Sequence, residues 1–305
     1  MNLYFKKFLY FLVTIYLVTT AVFFAVRLSP GDPVERVLGP RASVEEIKKV
    51  REQLHLDKPM LTQYKLFLVG AVKGDLGKSL FKKKDVVSLI VSHFTPTLIL
   101  TGIVVFLSFH FGVFFGFISA INRMTTTDFL IRFSSVLFLA LPIFSLGPLL
   151  VLLFAIQFQL FPVSEWGELK HMFLPSLTLV IPLSAILIKV ARNKFLEEKN
   201  ALWITVLLSK GLSNVQIYLR ILKVSLPTIL NVVAIQLSVL LAGTMVTESI
   251  FDIPGVGTLL LTAIQNRDYP IVQGVILYSS IVYMVVYFLI DAINAKLDPR
   301  IQGEA

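Results

Sequence analysis

The chain has 305 residues, of which 56% are apolar and only 15% charged, and its mean hydropathy is +0.80. That is too little charge to cover a soluble domain of this length, and the apolar residues come in long unbroken blocks rather than at the spacing of a soluble core. Cysteine is absent, which excludes a disulfide framework, a thiolate metal site and a cysteine nucleophile, and four histidines with few acids in apolar surroundings predict no metal-ligand cluster. The formal charge of +9 would suit a nucleic-acid partner, but its distribution along the chain points to a membrane.

About 20 apolar residues, rising about 1.5 Å each, cross a hydrocarbon core of about 30 Å. Six segments meet that length: Phe8 to Leu28, Thr97 to Ile121, Phe129 to Ile156, Phe173 to Val190, Leu226 to Ile250 and Gln273 to Ile293. The predicted fold is therefore all-α and integral to the membrane, with about six spans. The first span follows Lys6 and Lys7, but no A-x-A-like site ends it. It is expected to stay as an anchor (1–28) rather than to be a cleaved signal peptide.

A loop over 29–93 follows and is too long for a simple turn. Ser43 with Glu46 three residues on is a capping box, and Val44, Ile47, Val50 and Leu54 share one helical face. That face is expected to pack on the outer ends of the spans; contact with a substrate-delivery protein is the functional alternative. "KGDLGKSL" in this loop imitates a phosphate-binding loop, but Val72 occupies the position that needs the first glycine. "GVGTLL" from Gly255 lacks the third glycine and a preceding strand. Neither is a nucleotide site, and the chain is expected to carry no catalytic residue.

Within the spans, ionisable groups are few. His110 lies near the middle of the second span and is a candidate pathway-lining residue, although a hydrogen bond to a neighbouring helix is the favoured reading. Asn231, Gln236 and Ser238 of the fifth span are candidates to line a polar route, or to join helices. Basic residues in the short loops divide 13 to 2 if the N-terminus is cytoplasmic, which predicts both termini inside. The loop between spans four and five (194–225) is then cytoplasmic. "NALWITVLLSKGLSNVQIYLRILKVSLP" reads as a helix ended near Gly211, a turn, and a second helix leading to Pro227. Trp203, Leu207 and Leu208 standing off the membrane are expected to be buried against a cytoplasmic partner.

These features occur with a series of short motifs. They are "SPGDP" (Ser29 to Pro33), "HLDKP" (His55 to Pro59), Gln63 with Tyr64, and "GDLGKS" (Gly74 to Ser79). "FPVSEWG" (Phe161 to Gly167), "LPSLTL" (Leu174 to Leu179), "LLAGTMVTESIFDIPGVG" (Leu240 to Gly257), "RDYPIVQG" (Arg267 to Gly274) and "DPR" (Asp298 to Arg300) complete it. In order and along the whole length, they resemble the dipeptide, oligopeptide and nickel permease family of ATP-binding-cassette (ABC) importers. The resemblance implies a type I importer permease fold over 94–295, a partly helical extracytoplasmic loop, and a cytoplasmic tail over 296–305. It also implies a heterodimer with a second homologous permease, two ATPase subunits inside that use ATP and magnesium, and an extracytoplasmic binding protein; no cofactor is implied on this chain itself. The docking segment it implies comprises Glu198, Trp203, Thr205, Val206, Leu207, Gly211, Leu212 and Ser213. The family's Glu-Ala-Ala pattern is replaced by Thr205, Val206 and Leu207, whereas Gly211, Leu212, Ser213 and Leu226–Pro227 are kept. Peptide is the implied substrate, with nickel or another small peptide-like ligand as alternatives. An ion-coupled carrier is the rival from another class, disfavoured by the scarcity of charges at mid-span.

Overall fold

In the computed structural model, residues 3–28, 33–39, 43–53 and 55–297 are described. Most of "SPGDP", Leu54, and "DPR" lie outside them, as do the side chains of Lys6 and Lys7. The helices are α1 (Leu3–Leu28), α2 (Pro33–Leu38), α3 (Val44–Gln53), α4 (Met60–Val72), α5 (Val86–Ile121), α6 (Thr126–Ala140), α7 (Ile143–Leu150), α8 (Leu169–Lys199), α9 (Leu202–Ser209), α10 (Asn214–Leu241), α11 (Met245–Ile250), α12 (Val256–Asn266) and α13 (Tyr269–Leu297). Five are long and apolar enough to cross a membrane: α1, α5, α8, α10 and α13.

The expected third span is not one rod. α6 and α7, the latter continued by a π-helical turn over Val151–Gln157, meet at 101°. Pro142 occupies the N-cap position of α7, and proline's ring forces the residue before it out of the helical region; Leu141 accordingly adopts φ −85°, ψ 114°. The fifth span also differs: α10 starts at Asn214 and stops at Leu241 rather than Ile250. Gly243 breaks it at φ +106°, where a Cβ would stand 2.6 Å from the backbone nitrogen of Gly257. α5 and α8 outrun their apolar blocks, starting at Val86 and Leu169. α8 passes through Pro175 and Pro182 unbroken.

The chain divides into two compact units, with α5 and α13 contributing to both. The first comprises 1–97, 242–245 and 254–284. Here the long loop is tied to α1 and to the junction between α12 and α13 by the motif residues. Gln63 donates to the carbonyl of Lys58 at 2.9 Å and accepts from Arg27 Nε at 2.9 Å. The Arg27 guanidinium lies 3.6 Å over the ring of Phe23, itself fully buried beside Tyr64 and Phe67. Asp268 Oδ2 accepts from Ser79 Oγ at 2.6 Å and from the Leu80 amide at 3.0 Å. "GDLGKS" is therefore a structural turn pinned to the start of α13. The Ser43–Glu46 capping box forms as expected. On α3, Ile47 and Val50 are half-buried, but Val44 is 82% exposed, so the apolar face packs over only part of its length.

The second unit comprises 98–241, 246–253 and 285–305. α8 is its central element. Leu174, Leu179 and Val180 pack with Leu146, Leu150, Leu100, Val104, Phe251 and Ile253. Farther along, Leu187, Ala191 and Phe195 pack with Ala120, Ile217, Ile221 and Ile229. α5 and α8 touch nearly backbone to backbone through Gly112 and Gly116, a small-xxx-small pair. A Cβ on Gly112 would collide with Leu187, and one on Gly116 would fall 2.8 Å from Ala191 Cβ.

Candidate functional site

The segment from the end of α8 through α9 to the first turns of α10 carries the predicted docking residues. Glu198 lies in the last turn of α8. α8 runs to Lys199 and ends at Asn200, and α9 is a separate helix of 8 residues. Asn200 and Ala201 break the run because Ala201 is extended, at ψ 147°. α8 and α9 are thus two separate helices joined at Asn200–Ala201.

α9 is fastened from below. Its Trp203 Nε1 donates to Glu198 Oε2 at 3.1 Å, and Lys194 Nζ pairs with Glu198 Oε1 at 2.8 Å. Ile204 is buried, and Trp203, Leu207 and Leu212 pack against the cluster around Phe195, Ile217 and Ile221. This corrects the expectation for Trp203 and Leu207, which turn inward to the chain's own core. Leu208 does face out, 54% exposed, with Val206 at 54% and Leu202 at 88%. Thr205 is exposed beside them.

The end of α9 is a Schellman motif. Leu212 N donates to Leu207 O at 3.3 Å and Gly211 N to Leu208 O at 2.9 Å. Gly211 takes φ +75°, a left-handed conformation that glycine adopts without steric cost. Ser213 then caps α10. Its amide donates to Gln216 Oε1 at 3.0 Å while its hydroxyl accepts from the Gln216 amide at 3.5 Å, the reciprocal pair of a capping box. Gly-Leu-Ser therefore makes a tight corner that fixes α9 against α10. The expected second loop helix is not separate; it is the first part of α10, which continues through Pro227.

Sequence reasoning missed the ion pair that braces this region. Asp128 is fully buried, and Arg192 binds it in a fork: Nε to Oδ1 at 2.8 Å and Nη2 to Oδ2 at 2.8 Å. Ser119 Oγ donates to Oδ1 at 2.5 Å and the Met124 amide to Oδ2 at 3.0 Å. One carboxylate thus ties α5, α6 and α8 together just ahead of the docking segment. The signal was present in Thr125 and Asp128, an N-cap spacing before an apolar run; Asp128 N indeed donates to Thr125 Oγ1 at 3.4 Å.

The predicted pathway residues do not converge. His110 Nδ1 bonds the carbonyl of Phe106 on its own helix at 2.7 Å rather than a neighbouring helix, because its ring folds back one turn. Ser238 likewise bonds Ala234 O at 2.8 Å, and Asn231 is exposed. Gln236 joins helices: its amide donates to Leu183 O of α8 at 3.1 Å. Among the described residues, no group of three His, Asp or Glu side chains is placed to hold a metal ion.

Apolar helices of spanning length make this an integral membrane protein, and its fold is that of a type I ABC importer permease subunit. The chain belongs to the family of inner-membrane components of binding-protein-dependent transport systems, whose model matches residues 112–303; a companion N-terminal model matches residues 1–101. It is 32% identical over 303 residues to the glutathione transport system permease protein GsiC of Escherichia coli O6:H1 strain CFT073, covering 99% of each chain. Its identity to the GsiC proteins of E. coli K12 and Shigella dysenteriae serotype 1 is 31%, with the same coverage. Among solved structures it resembles the inward-facing MetNI methionine ABC transporter, with TM-score 0.54 and 16% identity over 70% of this chain and 97% of that one. The protein is therefore a multi-pass inner-membrane component of an ABC importer, a class that works with ATPase subunits and a binding protein.

Proposed function

We propose that this chain forms one half of a heterodimeric permease that imports small peptides, with glutathione-like tripeptides among the first candidates. Likeness to the GsiC relatives over the whole length supports that substrate class. Two ATPase subunits, which bind and hydrolyse ATP with magnesium, dock from the cytoplasm. An extracytoplasmic binding protein loads the substrate, and both termini lie inside. The binding protein largely sets substrate choice, so the permease need only offer a path.

The observation that carries the docking role is the outer face of α9: Leu202, Val206 and Leu208 exposed on a short helix that is clamped from within. Apolar side chains held rigidly toward water are stabilised by burial in a partner's groove. Closing of the ATPases then moves α9, and through the Gly211 corner and the Glu198–Trp203 bond it moves α10 and α8 together. A partner shifts such an equilibrium only by its differential affinity for the two states.

Proteoliposomes holding the complete transporter should take up labelled glutathione or a dipeptide only when ATP is inside and the binding protein outside. Uptake by this chain alone, driven by an ion gradient, would overturn the importer reading. ATP-driven uptake of a nickel chelate with no uptake of peptides would overturn the substrate.

A further inference from the structure

Beside the Asp128–Arg192 pair, a cavity of about 230 Å³ opens between α6 and α8. Its rim carries the basic Arg132, Lys189 and Arg192 together with the neutral amide of Asn193. Its wall continues as Val136 and Leu139. Asp128 neutralises only one charge of this rim, chiefly that of Arg192. Both its oxygens are already taken by Arg192, Ser119 and the Met124 amide. Arg132 reaches it only through Nε at 3.4 Å and stays 48% exposed. Lys189 and Asn193 are exposed, and Lys189 has no carboxylate partner among the described residues. Three cations thus face one carboxylate, and the rim stays net positive.

Depth decides what fills the space. On α8 the uncharged run from Phe173 ends at Lys189, and on α6 the uncharged run begins just after Arg132. Both cations therefore stand at the same boundary of their apolar blocks, where phosphate headgroups lie. Beyond them Val136 and Leu139 are 67% and 41% exposed on the side of the cavity. We propose that this cavity binds an anionic phospholipid, with Arg132, Lys189 and Asn193 on the headgroup phosphate and an acyl chain along Val136 and Leu139. A guanidinium fork and an ammonium are the side chains that best complement phosphate oxygens, and basic pockets between spanning helices recognise such headgroups. A soluble phosphate would use the same rim, but the apolar wall offers it nothing. Bound lipid would reinforce the α6–α8 contact in the same place as the Asp128 brace.

The test uses the assembled transporter in nanodiscs of phosphatidylcholine with graded phosphatidylglycerol, read by native mass spectrometry. Phosphatidylglycerol should be retained in preference to phosphatidylcholine. R132Q/K189Q should weaken that retention about tenfold or more, while R132K/K189R, which keeps both charges, should retain the lipid and so separate binding from folding. Equal retention of the two lipids, or unchanged retention by R132Q/K189Q, would overturn the site. Displacement of the lipid by millimolar glycerol 1-phosphate would assign the rim to a soluble anion instead. Since the chain has no cysteine, V136C offers an independent readout: its bimane label should be quenched by brominated phosphatidylglycerol. Burial of that label against the second permease would overturn the proposal.

Discussion

Arg192 and Asp128, 64 residues apart, form a two-point ion pair of 2.8 Å on each arm, closed to water on the Asp128 side. Buried carboxylates tolerate such a position only when every lone pair is occupied. Here Ser119 and the Met124 amide complete the set.

Removing one partner leaves the other stranded. Asp128→Asn is expected to destabilise the chain by about 3–5 kcal/mol. Thermal unfolding in detergent would register this, and the D128N/R192Q pair should cost less than the two single changes added together.

Tight approach of α5 to α8 gives a second expectation. Gly116→Val should lower stability by about 1–3 kcal/mol through overpacking against Ala191. Gly102, on the same helix, has open space around it; Gly102→Ala should be neutral or slightly stabilising. Comparing protease resistance of the two variants checks the contact.

At the docking segment, surface and core should separate. Val206→Asp is expected to leave folding intact but to abolish co-purification with ATPase subunits, whereas Ile204→Asp should prevent stable folding because Ile204 is buried. If V206D still co-elutes with ATPase, α9 is not the docking element.

Gly211 holds a left-handed corner. Gly211→Val should cost about 1–2 kcal/mol of local strain and uncouple ATP hydrolysis from uptake while the protein still inserts. Wild-type transport by that variant would count against α9 as the coupling element.

Ser79 supplies the shortest bond to Asp268, whose Oδ1 is buried without a hydrogen-bond partner among the described residues. Ser79→Ala should destabilise the 77–86 turn by about 1–3 kcal/mol, seen as faster amide exchange there.

Much of this was legible beforehand because a bilayer makes the sequence simple. In hydrocarbon every backbone group must bond within its own segment, so an apolar block of sufficient length is already a helix. Composition alone therefore located α1, α5, α8, α10 and α13, and local chemistry located the Ser43 cap and the Gly211 stop. Proline at 142 and glycine at 243 were also visible, but whether a break bends a helix depends on what packs around it. Pro182 leaves α8 running on, whereas Pro142 separates α6 from α7 at 101°.

What the tertiary structure alone decided is which side chain meets which. Trp203 and Leu208 look alike as apolar residues of one short helix, yet one turns into the core and the other out, a matter of helix rotation set by Ile204 and the Glu198 bond. Asp128 with Arg192, and Ser79 with Asp268, are partners across 64 and 189 residues. Periodicity and spacing carry information over a few turns only; pairing over such distances is chosen by packing, when burial forces each polar atom to find the nearest group that can satisfy it.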